Sequence, residues 1–388
     1  MPSSTFNFAS LNAWVKEGIT VELLKPHYPA ALDPVKIRQI TRDNLHSMLD
    51  SISGSGRVVL ILEDPSRPSK TGPVVEEICG AVQELRGEDR DFEVVIAAGA
   101  HYNIQGSALQ KKTGRLNCPV TIHNSVDNLG LLRIGTSKSG IPLYFNKKVV
   151  TADFRLSIST MNLHPLAGLS AGGKILLPGV AGLETIEAFH SLPSGAPGES
   201  HSAMRDLINE ALALLPINYS WHLLSNPEGE LLEILGGRVA ETFEKSGGKL
   251  LKTVTVKKPE KPADILLLGC QPFNLNLIGT FKSLHQIPGL LKPGGRVVLF
   301  NEAPQGIGFH HWRASERVIQ VQKEHYSRLL NPFQVAVFSP ASRNGDFQKI
   351  FPEEFELINT VDELEGFMNR SNYQTLTVLP FAPVTLVL

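Results

Sequence analysis

Several short stretches of this chain hold unbroken apolar runs instead of alternating in polarity: "RVVLILED" (57–64), "FEVVIAAG" (92–99), "ADILLLGC" (263–270), "GRVVLFNE" (295–302) and "FQVAVFSP" (333–340). Unbroken runs of Val, Ile and Leu suit strands covered on both faces, as in a parallel sheet. Longer amphipathic stretches separate them, including "GPVVEEICGAVQELRG" (72–87), "IQGSALQKKTG" (104–114), "LNLIGTFKSLHQI" (275–287) and "ASERVIQVQKEHYSRLL" (314–330). The rhythm predicts an α/β protein with largely parallel sheets flanked by helices. Between Pro119 and Thr160 the strand-like pieces "PVTIHNS", "LLRIGTS", "IPLYFNKKVV" and "DFRLSIST" follow one another with little helix, which predicts a mixed or antiparallel extension.

At 388 residues the chain is long for one core, so two domains are expected, with the active site in the cleft between them. The Lys- and Pro-rich "VKKPEKP" (256–262) has the composition of a linker. The expected division is an N-terminal α/β domain over 1–262 and a C-terminal Rossmann-like domain over 263–388. Composition is that of an ordinary globular protein, 42% hydrophobic and 19% charged with a formal net charge of -1. That balance gives no electrostatic reason to expect nucleic acid or an anionic membrane, so the expected partner is a small molecule. The three cysteines, Cys79, Cys118 and Cys270, are widely spaced and contain no C-x-x-C pair, so neither a disulfide framework nor a metal cluster is indicated. The N-terminal stretch lacks a signal-peptide pattern, and no apolar run reaches the ~18 residues that a membrane span needs. A cytoplasmic location is expected.

The chemistry-bearing residues gather where strands should end. "GLSAGGK" (168–174) meets the first seven positions of the phosphate-cradling pattern G-x-x-x-x-G-K-[ST], but Ile175 stands where a magnesium-binding hydroxyl belongs. Pro178 would also break the helix that should follow, which argues against a triphosphatase. Gly172 and Gly173 still permit close approach of an anion beside Lys174, although a plain turn with a solvated lysine has the same composition. His164 follows "DFRLSIST" and precedes a proline, a strand-end position, and His101 in "VVIAAGAHYN" is another. Asp64 and Arg67 leave a third strand in a turn stiffened by Pro65 and Pro68; a local ion pair on a surface turn is the simpler account there. His190 closes "LETIEAFH", where a histidine is commonly a packing residue. Imidazole-rich and carboxylate-poor, this set suits a borderline or soft metal, or proton transfer near neutral pH.

In the order and spacing of these blocks the chain resembles the nickel-pincer-nucleotide-dependent lactate racemases and related 2-hydroxy acid racemases and epimerases. The Asp-x-Thr-Arg-Pro motif appears as "DPSRP" (Asp64, Ser66, Arg67), and the Gly-Thr-His motif as "GAH" (His101). The His-x-x-x-Gly-Tyr-Ser-Gly-Gly-x-Lys signature with its distant histidine appears as "HPLAGLSAGGKILLPGVAGLETIEAFH" (His164, Lys174, His190), and a later lysine in "NLNLIGTFK" (Lys282). The resemblance implies a nickel-pincer nucleotide, a pyridinium-3-thioamide-5-thiocarboxylic acid mononucleotide made by dedicated biosynthetic enzymes, tethered to Lys174 with His190 on the nickel. It implies that a 2-hydroxy acid loses hydride to the pyridinium and regains it on the other face, with His101 and His164 as bases for the two hands. Arg67 and Lys282 become candidates for holding the substrate carboxylate or the nucleotide phosphate, with Arg67 also counted as cofactor-binding; Asp64 is the candidate for the ribose, Ser66 a further cofactor contact, and Ser170, Gly172 and Gly173 candidates for the phosphate. Tyr102, Leu169 and "SAGGK" depart from the family pattern, as do Ile278 and Gly279 in place of Tyr-Gln. The space left by Gly279 would admit a substrate bulkier than lactate. A non-catalytic holder of the nucleotide, a nucleotide-dependent hydrolase, and a methyltransferase suggested by "LKPGGRVVLF" are the alternatives; oligomeric state is left open.

Overall fold

The computed structural model describes residues 15, 17–52, 56–86, 92–104, 106–193, 195–311 and 316–388. It forms two compact units: residues 28–253 with 310–312, and residues 1–27 with 254–309 and 313–388. A single cut after residue 262 therefore does not describe the division. The chain leaves the first unit at residue 254, ahead of the Lys/Pro-rich stretch, and the strand Thr20–Leu23 pairs in parallel with Thr375–Leu379 in the other unit. That early strand has exposed side chains throughout and no apolar run to announce it.

The first unit is built on a six-stranded sheet in the spatial order Leu231–Gly237, Tyr219–Ser225, Phe154–Thr160, Val58–Glu63, Phe92–Ala97, Val120–Ile122. All neighbours are parallel except the edge strand Leu231–Gly237. One face buries Leu60, Leu62, Leu156, Ile158, Trp221 and Leu223 with Ile37, Leu45, Val75 and Ile78 of the helices Pro34–Ile52 and Gly72–Arg86. The expected antiparallel extension is confined to the hairpin of Leu131–Thr136 with Pro142–Asn146. "DFRLSIST" belongs instead to the middle of the parallel sheet. Its Ser157 and Ser159 weaken the apolar signal on the face opposite that core, where Ser220 and His222 of the next strand lie in register with them.

The second unit carries a fully parallel sheet in the order Thr20–Leu23, Thr375–Leu379, Ala263–Gly269, Leu291–Phe300, Gln334–Phe338, Glu356–Ile358. "LNLIGTFKSLHQI" does not form the expected helix. It makes two short 3-10 turns, Leu277–Lys282 and Leu284–Gln286, the first capped where Asn276 Oδ1 accepts from the Gly279 N–H at 3.1 Å. All three cysteines are free, though two interact: Glu76, one turn before Cys79, accepts the Arg115 N–H at 2.6 Å, and the neighbouring Cys118 thiol, with burial, pushes the Cys79 pKa well above the ordinary thiol value. No described helix is long and apolar enough to cross a membrane.

Candidate active site

Three adjacent parallel strands of the first unit release their loops at their carboxyl ends, where open α/β sheets gather ligands. The first ends in Glu63 and Asp64, both buried. Glu63 is the anchor. It takes a salt bridge from buried Lys112 at 2.6 Å, the Thr160 hydroxyl at 2.8 Å and the Thr160 N–H at 2.6 Å, and it accepts from Ser69. Burial alone would raise its pKa, but the Lys112 ammonium and these donors hold it below the usual carboxylate range. The network ties the end of Val58–Glu63 to the end of Phe154–Thr160 and to the helix Gly106–Thr113.

Asp64 faces His101, with Oδ2 2.7 Å from Nδ1, and accepts the Ser66 hydroxyl on Oδ1 at 2.7 Å. Burial works against the charge, yet His101, Arg67 and Ser66 outweigh it and bring the Asp64 pKa down to about 2. An ionised carboxylate can only accept, so the His101 Nδ1–H donates and the basic lone pair lies on Nε2. His101 itself ends a tight turn after Phe92–Ala97, its N–H donating to the Ala98 carbonyl at 2.8 Å. His310 packs edge-on against the ring at 4.1 Å between centroids, and His311 lies 4.5 Å from Tyr102 and donates its N–H to the Ala100 carbonyl at 2.8 Å.

His164 is held differently. It pairs with Gly168 in the two-residue strands Leu163–His164 and Gly168–Leu169, and its Nδ1 accepts from the backbone N–H groups of Leu166 (3.3 Å) and Ala167 (3.0 Å). Ser170 spends its hydroxyl inside this loop, donating to the Thr160 carbonyl and accepting from Asn162 N–H, both at 2.8 Å. The turn then passes through a left-handed Ala171 (φ 61°) and Gly172 (φ 57°). Glycine is needed at 172 for space as well as for backbone, since a Cβ would meet the Phe243 ring at 2.9 Å; a Cβ on Gly173 would press closer still on the Leu212 and Ile208 side chains. The Gly172 N–H donates to Nε2 of buried His222, whose other nitrogen faces Ser246 at 3.0 Å, and burial brings the His222 pKa to about 4, leaving it neutral. Arg205 closes the other side, donating to the Ala167 and Leu169 carbonyls with its guanidinium over Phe243. These two glycines thus serve packing, and the hydroxyl of Ser170 serves the loop.

Lys174 sits in the single 3-10 turn Gly172–Ile175 that this scaffold supports, and it is buried. Burial pushes its pKa well below the ordinary lysine value, and the charges that reach it, Arg67 and Arg205, push the same way. A neutral amine is a nucleophile and acyl acceptor, which an exposed ammonium is not. His190, at the end of Leu183–His190, has Nδ1 2.7 Å from the Ile186 carbonyl, so it donates there and keeps its lone pair on Nε2. This is the orientation a metal-binding imidazole takes when a second partner fixes its tautomer. No group of three or more His, Cys, Asp and Glu side chains that could hold a metal occurs among the described residues. A metal carried mainly by its own organic ligand and one imidazole fits these residues.

Lys282 belongs to the other unit, its ammonium 3.3 Å from the centroid of Phe273. The neighbouring departure has a structural cause that corrects the expectation of spare room. A Cβ on Gly279 would lie 1.7 Å from the Phe273 carbonyl oxygen, and Ile278 is packed in the core with Leu266, Phe281 and Leu299. The chain's own backbone fills that space.

Residues 18–202 match the lactate racemase N-terminal domain family. Over 281 residues the chain is 25% identical to the lactate racemase of Thermoanaerobacterium thermosaccharolyticum, covering 68% of this chain and 64% of that protein. The stretch 18–202 is thus similar to the N-terminal domain of lactate racemases. A second lactate racemase, from Lactiplantibacillus plantarum, is 24% identical over 272 residues, 66% of this chain and 63% of its own length. The aligned region thus spans less than two thirds of both curated relatives. The lactate racemase apoprotein structure from T. thermosaccharolyticum superposes with a TM-score of 0.75 at 17% identity, covering 96% of this chain and 95% of that one. The crystal structure of a Thermotoga maritima protein gives 0.72 at 16%, covering 93% and 99%. The fold is therefore that of the lactate racemase apoprotein.

Sequence reasoning passed over the residues that support the site. Glu63 was visible as an acid directly after the apolar run 58–62, and His222 as a lone histidine inside "YSWHLLS". Arg205 and the His310–His311 pair carried no spacing signal, because their partners lie far away in sequence.

Proposed function

We propose that this protein is an isomerase of the lactate racemase family that racemises or epimerises a 2-hydroxy acid, using a nickel-pincer nucleotide tethered to Lys174. The carrying observation is Lys174 itself, a buried lysine whose surroundings favour the neutral amine needed for a covalent tether. In the same unit stands His101, set by an ionised carboxylate to take a proton through Nε2. When bound, the cofactor supplies a hydride acceptor, which avoids deprotonating a carbon next to a carboxylate.

The chain's own residues would do the rest. Arg67 offers a guanidinium for the substrate carboxylate, and its charge also supports ionised Asp64. His101 takes the hydroxyl proton as the carbonyl forms and returns it as the alcohol is restored. His190 presents Nε2 to the metal. Lys282 as a second carboxylate ligand rests on the motif resemblance alone. The substrate class is a 2-hydroxy acid, and its size is not set at residue 279.

The test is racemisation in D₂O by protein co-expressed with the cofactor-making enzymes, offered single enantiomers of a panel of 2-hydroxy acids. Loss of optical activity with protium retained at Cα is the expected result. Deuterium incorporated at Cα contradicts the hydride route. An enzyme carrying cofactor that isomerises no member of the panel contradicts the activity and leaves a nucleotide-binding protein.

A further inference from the structure

A buried amide just past the end of a central strand has a donor with no partner among the described residues. Resting on the proposed racemase reading, we propose that Asn162 is a substrate-binding residue: its side-chain NH₂ donates a hydrogen bond to the carboxylate of the 2-hydroxy acid.

The chain places this amide where a ligand belongs. Phe154–Thr160 lies in the middle of the first unit's sheet, and Asn162 follows its carboxyl end by two residues, the position at which open α/β sheets bind ligands. The Asn162 carbonyl accepts from the Ser170 N–H and its own N–H donates to the Ser170 hydroxyl, both at 2.8 Å. This pair extends the ribbon of Leu163–His164 with Gly168–Leu169 by one position on each strand. Successive side chains of an extended ribbon point to opposite faces, so Asn162 shares a face with His164 and the buried Leu163 takes the other.

The bonding of its neighbours sets Asn162 apart. Glu63, Asp64, Ser170 and His222 all spend polar atoms on partners within the fold. Asn162 is only 6% exposed, yet its Nδ2 is left over. Other unpartnered polar atoms nearby have a different setting: the Ser157 and Ser159 hydroxyls lie back along the strand within the sheet, and Arg205 Nε belongs to a guanidinium already bound to two carbonyls and laid over Phe243. A buried NH₂ without an acceptor opposes folding, so the stability of the chain does not account for an amide here; an oxygen of a bound ligand does.

The surrounding charge selects an anion. Arg67 acts on both Asp64 and Lys174, and Arg205 acts on Lys174 as well, so guanidinium charge reaches these loops. A carboxylate has two oxygens and room for several donors, and can take Arg67 and Asn162 together. An uncharged donor fixes the orientation of the acid without adding a cation beside the amine that must stay neutral.

In cofactor-loaded enzyme, Asn162→Ala is expected to raise KM for the 2-hydroxy acid ~10-fold or more, keep kcat within ~3-fold and leave the yield of nucleotide adduct unchanged. Asn162→Asp should lose more above neutral pH, where carboxylate faces carboxylate, and recover as falling pH turns its carboxyl into a donor; an amide with only a structural role gives no such recovery. An unchanged KM, or a loss confined to kcat, overturns the proposal. So does an adduct yield that falls in step with activity, which would assign the amide to the nucleotide. A second measurement uses wild-type protein labelled with ¹⁵N-asparagine and loaded with cofactor, titrated with 2-hydroxy-2-methylpropanoate, which has the carboxylate and hydroxyl but no Cα hydrogen to transfer. The Asn162 side-chain signal is expected to shift, and a signal that the acid does not move overturns the proposal. If loaded wild-type protein isomerises nothing, the racemase reading fails while this titration still decides whether Asn162 binds the acid.

Discussion

Asp64 and Lys174 are both buried ionisable residues of the same unit, and burial acts on each in the same sense, against charge. They end in opposite states. Asp64 has an imidazole, a guanidinium and a hydroxyl around it and stays ionised with a pKa of about 2; at Lys174 burial and the charges of Arg67 and Arg205 all act against the ammonium and drive it toward the neutral amine. The difference shows how one framework sets up an acid–base group and a nucleophile in loops that follow the central strands of one sheet: the loop decides the partners, and the partners decide the charge.

Removing the lysine tests the stronger half of this contrast. Lys174→Met is expected to abolish cofactor attachment and reduce racemisation to background. It should also stabilise the fold, by about 1–3 kcal/mol in chemical denaturation, because an unpaired buried amine gives way to an apolar side chain of similar length. The sign with pH follows. The folded pKa is depressed, so the unfolded chain binds more protons between that value and the ordinary 10.5, and wild-type stability rises with pH across this window. The variant should lose that slope; an unchanged slope would mean that Lys174 is an ordinary ammonium.

Asp64→Asn attacks the other half. Turnover is expected to fall ~100-fold, because the amide still orients His101 but no longer stabilises its imidazolium. The folded Asp64 pKa lies below its ordinary 3.8, so the stabilisation, roughly 2 kcal/mol, is complete above 3.8 and disappears as pH falls through about 2. Acid unfolding of the variant should begin at higher pH than that of the wild type.

Two further substitutions sharpen the comparison by acting on support alone. Lys112→Met leaves Glu63 buried without its cation and should cost about 3–5 kcal/mol, with activity falling only as the folded fraction falls. Gly279→Ala, against the Phe273 carbonyl, should cost about 3 kcal/mol and leave the ranking of substrates unchanged. A changed ranking in a stably folded Gly279→Ala protein would restore position 279 as a wall of the pocket.

The sheets were legible because apolar runs such as "RVVLILED" and "ADILLLGC" encode burial locally. So were Asp64, His101 and His164 as strand-end residues, and Lys174 as the lysine of a glycine-rich turn. Their charge states were not, since these depend on partners contributed from afar: Arg205 lies 38 residues from the Ala167 carbonyl it caps, and Lys112 lies 49 residues from Glu63. Thr20–Leu23 escaped because an edge strand with exposed side chains has no apolar pattern, and "LNLIGTFKSLHQI" misled because its periodicity is helical while Gly279 is pressed onto Phe273. Tyr102 stood out only as a departure from a motif; its ring contact with His311 depends on a segment more than two hundred residues later.

The most direct test of the account is intact-protein mass after co-expression with the cofactor-making enzymes, comparing the wild type with Lys174→Ala. A wild-type adduct of the nucleotide's mass that maps to Lys174 and is absent from the variant is the predicted result. An adduct of equal yield on both proteins, or hydroxy-acid racemisation undiminished by Lys174→Ala, would contradict it.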